Sequence, residues 1–178
     1  MRPTPNADLD RCINEAITRQ LTSPPASLSL TDAASLARYA EAAANELHVP
    51  IVFSLVDAHG LQRYFFSQDN ALLISHTLAT QKAWSAVALR MPTQQLAGDV
   101  QPGASLYGLQ HAQGLCCVGG GLPCWSGGVL LGAIGISGGS VEEDMTIATQ
   151  TLARFSRERF SLTPFNESFY TQNNSSCL

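Results

Sequence analysis

The apolar positions of the chain fall into alternating helical and extended patterns. Residues 8–21 place Leu9, Cys12, Ile13, Ala16, Ile17 and Leu21 at three- and four-residue intervals, one face of a helix, with Asp8, Asp10, Arg11, Glu15 and Arg19 on the other. Ser23-Pro24-Pro25 breaks that unit from the rest of the chain. From near Leu30 the helical interval returns in Leu36, Ala40, Ala43, Ala44 and Leu47, with Thr31 as an N-cap and Pro50 as a stop. Residues 51–56 are apolar on nearly both faces and predict a central strand; 57–60 read as a turn and 61–67 as a returning strand. An Ala-rich helix follows over 74–90, then Thr93 as the cap of a short helix over 94–98, then a turn of helix within 105–110. Residues 122–125 and 129–136 flank Ser126-Gly127-Gly128 as a second hairpin. Ser140-Val141-Glu142-Glu143 reads as a capping box that opens a last helix over 141–157.

Helix, hairpin, helix, loops, hairpin, helix is the order of an α+β layered domain, because hairpins make an antiparallel sheet and the helices must cover it. The chain divides into a helix and linker over 1–29, the domain over 30–159, and a polar tail over 160–178, expected to be loose. The first helix has about four turns and is marginal alone in water. It reads either as a docking peptide on a Pro/Ser tether or as an extra helix packed on the domain.

Composition narrows the function classes. At 178 residues and 45% hydrophobic, the chain has the material for one folded domain with an appendage. Nine Arg, one Lys and a net charge of -4 argue against a nucleic-acid binder, which needs a basic stripe. No apolar run approaches the roughly 18 residues of a membrane span. The start lacks a basic segment leading into an apolar one, and Asp8 and Asp10 oppose a transit peptide, so export is not expected and the Asn-x-Ser sites at Asn166, Asn173 and Asn174 carry no meaning. The cysteines at 12, 116, 117, 124 and 177 are odd in number and form no Cys-x-x-Cys; they predict reduced thiols in the cytoplasm rather than a disulfide framework or a zinc site.

Two features of the middle of the chain stand out. Between Ala58 and Val141 the charged residues are Arg63, Asp69, Lys82, Arg90 and Asp99 alone, which predicts surface buried against another subunit. Twelve of the 14 glycines lie between Gly103 and Gly139, as a slot for a flat ligand or a tight subunit contact would require.

Gly135-Ile136-Ser137-Gly138-Gly139 has the form of a nucleophile elbow, but His48, His59, His76 and His111 all precede the serine, against the order of that fold. The run Gly119-Gly120-Gly121 is not a dinucleotide fingerprint, since no βαβ unit surrounds it. The turn Ser137-Gly138-Gly139-Ser140 reads either as an anion cradle at a helix start or as a tight turn into a capped helix. The histidines are too scattered for a zinc or di-iron centre, but haem needs only one axial protein ligand. His48, ending the first domain helix, and His76, opening the second, are the chemical candidates; a structural role is the alternative for each. His59 reads as a solvent residue. Cys116, Cys117 and Cys124 flank the triple glycine and read as small core residues rather than thiolate ligands.

Several blocks resemble one family. Residues 50–60 are similar to its first strand and turn; Asp69-Asn70-Ala71, Ser75, Ala79 and Lys82-Ala83 to its second helix; Met91-Pro92-Thr93 to that helix's end. Gly119-Gly120-Gly121-Leu122-Pro123, the segment 128–139 and Asp144 are similar to its most distinctive block. This is the GlcG/HbpS-like family, which includes the C-terminal domain of the PduO-type adenosyltransferases. The resemblance covers about 30–157. It implies an α-β-α layered sandwich around a central antiparallel sheet, homo-oligomers and, for several members, haem bound in an oligomer cleft. The shared motif fixes no axial ligand. Asn70 stands where the family commonly has glycine, and no adenosyltransferase domain precedes this one, so cobalamin adenosylation is not expected. Residues 8–21 resemble the encapsulation peptides of bacterial microcompartment cargo, which implies shell proteins as partners.

These readings converge on a non-catalytic haem- or tetrapyrrole-binding accessory protein. It is expected to be a homo-oligomer and a cargo of a microcompartment for diol, glycerol or ethanolamine breakdown. Its cofactor residues would be His48, His76, Gly119, Gly120, Gly121, Ser137, Gly138 and Gly139, with His48 and His76 as iron ligands. Two alternatives stand beside it: a cofactor-free oligomeric interaction module, and a small-molecule enzyme of glycolate or diol metabolism.

Overall fold

A computed structural model describes residues 27–161. The helix expected over 8–21, its tether, and the tail after 161 lie outside the described residues. Leu28 is buried in the core ahead of the first helix. Helix α1 spans Leu30–Leu47. Its cap is Ser29 rather than Thr31: the Ser29 Oγ accepts the Asp32 N–H at 3.0 Å, and the Asp32 carboxylate accepts the Ser29 N–H at 2.9 Å. Asp32 three residues on completes a reciprocal box at Ser29.

Strands β1 (Val52–Asp57) and β2 (Gln62–Ser67) form the first hairpin. Asp57 closes it, its Oδ1 accepting the N–H groups of His59 and Leu61 at 2.9 and 3.0 Å. Helices α2 (Leu73–Leu89) and α3 (Thr93–Asp99) follow, then a short 3-10 helix at Tyr107–His111. Strands β3 (Gly121–Ser126) and β4 (Val129–Ser137) form the second hairpin, and α4 runs Val141–Ser161. The last helix is four residues longer than its apolar pattern indicated. It opens with the expected box, Ser140 Oγ accepting the Glu143 N–H and Glu143 accepting the Ser140 N–H.

All pairings are antiparallel, in the order β2-β1-β4-β3. β1 is therefore central, which is why its residues are apolar on both faces. Phe53, Leu55, Ile134 and Ile136 pack under α1 and α4 in the main core, while Val56 and Ala133 meet Ala83 and Ala86 of α2 on the opposite face. The fold is thus an α-β-α sandwich. Close seating of α2 depends on Gly135: a Cβ there would overlap the Ala79 carbonyl and stand 2.7 Å from the Ala83 nitrogen. Asn70 lies in the turn before α2 at φ 65, a left-handed conformation that asparagine tolerates better than most side chains.

Candidate functional site

The glycine block does not line an open slot in this chain; its own atoms fill the space. A Cβ on Gly119 would stand 2.8 Å from Val141 Cγ1, and one on Gly120 2.5 Å from the Ile136 carbonyl and 2.9 Å from Lys82 Nζ. One on Gly121 would overlap the Lys82 carbonyl, and one on Gly138 the Pro50 carbonyl. What these glycines enclose is an ion pair. Lys82, 1% exposed, donates to Asp144 Oδ2 at 2.6 Å and to the Ile136 carbonyl at 3.0 Å. Burial pushes the Asp144 carboxyl up, and the hydrogen bond and charge of Lys82 pull it back.

The turn into α4 holds anions of the chain's own making. The Gly139 N–H donates to Asp144 Oδ1 at 3.1 Å and the Ser140 N–H to Glu143 at 2.7 Å, so these donors satisfy neighbouring carboxylates rather than stand free for a ligand. Ser137 is buried, with its hydroxyl 3.3 Å from that of Ser75. Thr93 does not cap α3; its Oγ1 accepts the Gly121 N–H at 2.9 Å and ties the glycine run to the helix start. Cys116 and Cys124 are buried, and burial raises the thiols of both, Cys124 to about 11, so neither presents a thiolate near neutral pH.

The structure separates the two candidate histidines. His48 forms the C-cap of α1 at φ 57 and borders a groove of about 810 Å³ between α1 and β2. Arg38, Glu41, Asn45, Tyr64 and Phe66 line the same groove. Among the described residues the His48 imidazole has no hydrogen-bond partner. His76 lies across the sheet: its ring sits 5.9 Å from that of Phe65, and strand alternation turns Phe65 away from Tyr64 and Phe66. The His76 Nδ1 is 3.1 Å from the Leu73 carbonyl. Beside it Leu72, Leu73 and Ile74 form an exposed apolar ledge, Leu73 being 86% exposed. His59 and His111 are exposed and join neither place. Among the described residues no three His, Cys, Asp or Glu cluster as a metal site, and no helix is long and apolar enough to cross a membrane.

The Lys82–Asp144 pair was not apparent as a pair in the sequence, because its members are 62 positions apart. A signal existed: the chain's one lysine sits in an Ala-rich helix, on the face of Ser75, Ala79 and Ala86, where a solvated lysine has no place.

An antiparallel sheet between helical layers, with a histidine-bordered groove on one face and a sealed ion pair joining α2 to α4, defines an α-β-α sandwich class of domain. The family described as "Haem degrading protein HbpS-like" matches residues 28–153, and the chain belongs to it. It is 49% identical over 131 residues to the corrinoid adenosyltransferase PduO of Salmonella typhimurium, covering 72% of this chain and 39% of that one. The chain thus spans about two fifths of the length of the adenosyltransferases it matches. An uncharacterized 15.0 kDa protein in the dhaT-dhaS intergenic region of Citrobacter freundii is 42% identical over 74% of this chain and 94% of its own length. The solved structure of a PduOC:heme complex superposes with a TM-score of 0.69 at 48% identity, covering 71% of this chain and 94% of that one.

Proposed function

We propose that the chain is a haem-binding accessory protein that works as a homo-oligomer, with His48 as the iron ligand. The carrying observation is the groove: the exposed His48 lines it together with Tyr64, Phe66 and Arg38. The donor set suits the group. Imidazole ligates iron, aromatic rings cover an apolar macrocycle, and a guanidinium pairs with a carboxylate side arm. The volume also lies in the range of ligand pockets, roughly 300–1,000 Å³. The likeness to the PduOC:heme complex supports the same reading. When bound, haem supplies an iron centre capable of ligand exchange and electron transfer. The protein's part is to hold His48 at the groove, shield one macrocycle face with Tyr64 and Phe66, and set Arg38 at the rim. Adenosyl transfer is outside the proposal, since the match covers 39% of that relative.

His76 supplies a second reading. An Nδ1–H donated to a backbone carbonyl leaves Nε2 free and oriented, as in many ligating histidines. Titration of the apo-protein with hemin decides between them. Loss of the Soret shift in His48→Ala with retention in His76→Ala supports the groove, and the reverse supports the ledge. No Soret shift in the parent protein at micromolar hemin overturns haem binding and leaves the cofactor-free interaction module.

Oligomerisation is supported by the exposed Leu72, Leu73 and Ile74 in a charge-poor stretch. The likeness of residues 8–21 to encapsulation peptides supports service as microcompartment cargo through contact with shell proteins. A fusion of residues 1–25 to a fluorescent protein should form puncta in cells that build compartments; diffuse signal refutes the targeting role.

A further inference from the structure

The end of α1 is tied to the sheet by a side-chain bridge. Gln68, the residue after β2, accepts the Ile51 N–H on Oε1 at 2.9 Å and donates from Nε2 to Asn45 Oδ1 at 2.9 Å. Its own backbone N–H donates to the Ile51 carbonyl at 2.9 Å, so Gln68 is fixed at its backbone and at both poles of its amide. The Asn45 carbonyl in turn accepts the His48 N–H at 3.2 Å. One hydrogen-bonded path therefore runs from Ile51, the residue before β1, through Gln68 and Asn45 to the backbone of His48, and Asn45, His48 and Gln68 all border the groove. His48 sits at φ 57 as the C-cap of α1, where its N–H donates to the Ala44 and Asn45 carbonyls and the Val49 N–H donates to the Ala44 carbonyl, so the turn is anchored on the residue that Gln68 grips.

We infer that Gln68 and Asn45 are positioning residues for His48: their bridge holds the α1 terminus in the left-handed turn that presents the imidazole to the groove. This inference rests on the reading of His48 as the iron ligand. Partners that orient a ligand through its neighbours typically change metal affinity about 10–100-fold when removed.

The test titrates hemin into the full chain carrying Gln68→Leu, Asn45→Leu, Asn45→Asp or His48→Ala, with NMR spectra of each apo-protein. Aspartate keeps an acceptor for Gln68 Nε2; leucine does not. Both leucine variants should bind hemin about 10–100-fold more weakly with a shifted Soret band. Their His48 amide and ring signals should move in the apo-protein, while Asn45→Asp should match the parent in both measurements. If His48→Ala abolishes the band yet both leucine variants bind normally with His48 signals in place, the bridge has no positioning role and the ligand reading survives. If His48→Ala keeps the parent spectrum, the ligand reading falls, and the apo signals alone decide the bridge. Asn45 is exposed, so Asn45→Leu carries the test should Gln68→Leu fail to fold.

Discussion

A lysine and an aspartate sealed in the interior are costly to desolvate and strongly interdependent. Asp144→Asn keeps the acceptor for the Gly139 N–H but strands the Lys82 ammonium, and should cost about 3–5 kcal/mol in urea unfolding. Adding Lys82→Met removes the stranded charge, so the double variant should be more stable than Asp144→Asn alone; additive losses would show that the two groups act independently. Cys124 gives the pH counterpart. Burial raises its thiol from about 9 to about 11, with Arg159 opposing, so the folded state holds that proton more tightly than the unfolded chain does. Its contribution is complete below pH 9 and is lost as pH climbs to about 11, a change of about 3 kcal/mol. Unfolding of Cys124→Ala across pH 8–11 should show a correspondingly shallower alkaline loss; an unchanged slope would remove Cys124 as its source.

At the scale of elements, most of the fold could be read in the sequence because periodicity survives local exceptions. Both hairpins, the central position of β1 and the helices between residues 30 and 161 fell close to their patterns. The deviations have local causes. Ser29 wins the cap of α1 because Asp32 can answer it, and Thr93 forgoes a cap because its hydroxyl serves Gly121. The glycine block was legible only as a sign of close approach; the fold shows that within the chain Gly119, Gly120, Gly121 and Gly135 are approached by α2, α3, β4 and α4 rather than standing in open space. The distinction is measurable. Gly135→Ala should wedge α2 from the sheet and destabilise by at least about 1–3 kcal/mol in thermal unfolding. Gly98→Ala, near the end of α3 with open space around it, should be neutral or stabilising by up to about 1 kcal/mol. Equal effects would refute the packing account.

For the whole molecule, the two candidate histidines lie on opposite faces of the sheet, a separation no linear spacing could reveal. The scarcity of charge between 58 and 141 has two sources: most of β4 and one face of α2 are interior, while Leu61, Leu72, Leu73, Ile74, Trp84 and Val129 are apolar yet exposed. The exposed residues call for a partner, and Leu73 is the most exposed of them. Leu73→Asp should therefore lower the assembly mass in light scattering with little change in the melting of the single domain. An unchanged mass would move the subunit contact elsewhere.

The chain's one lysine is also among its least accessible residues. Acylating dyes and reductive methylation should thus find no ε-amino group on the native fold. Label arriving at position 82 would then keep time for global opening of the molecule, read from a single peptide mass and needing no engineered probe.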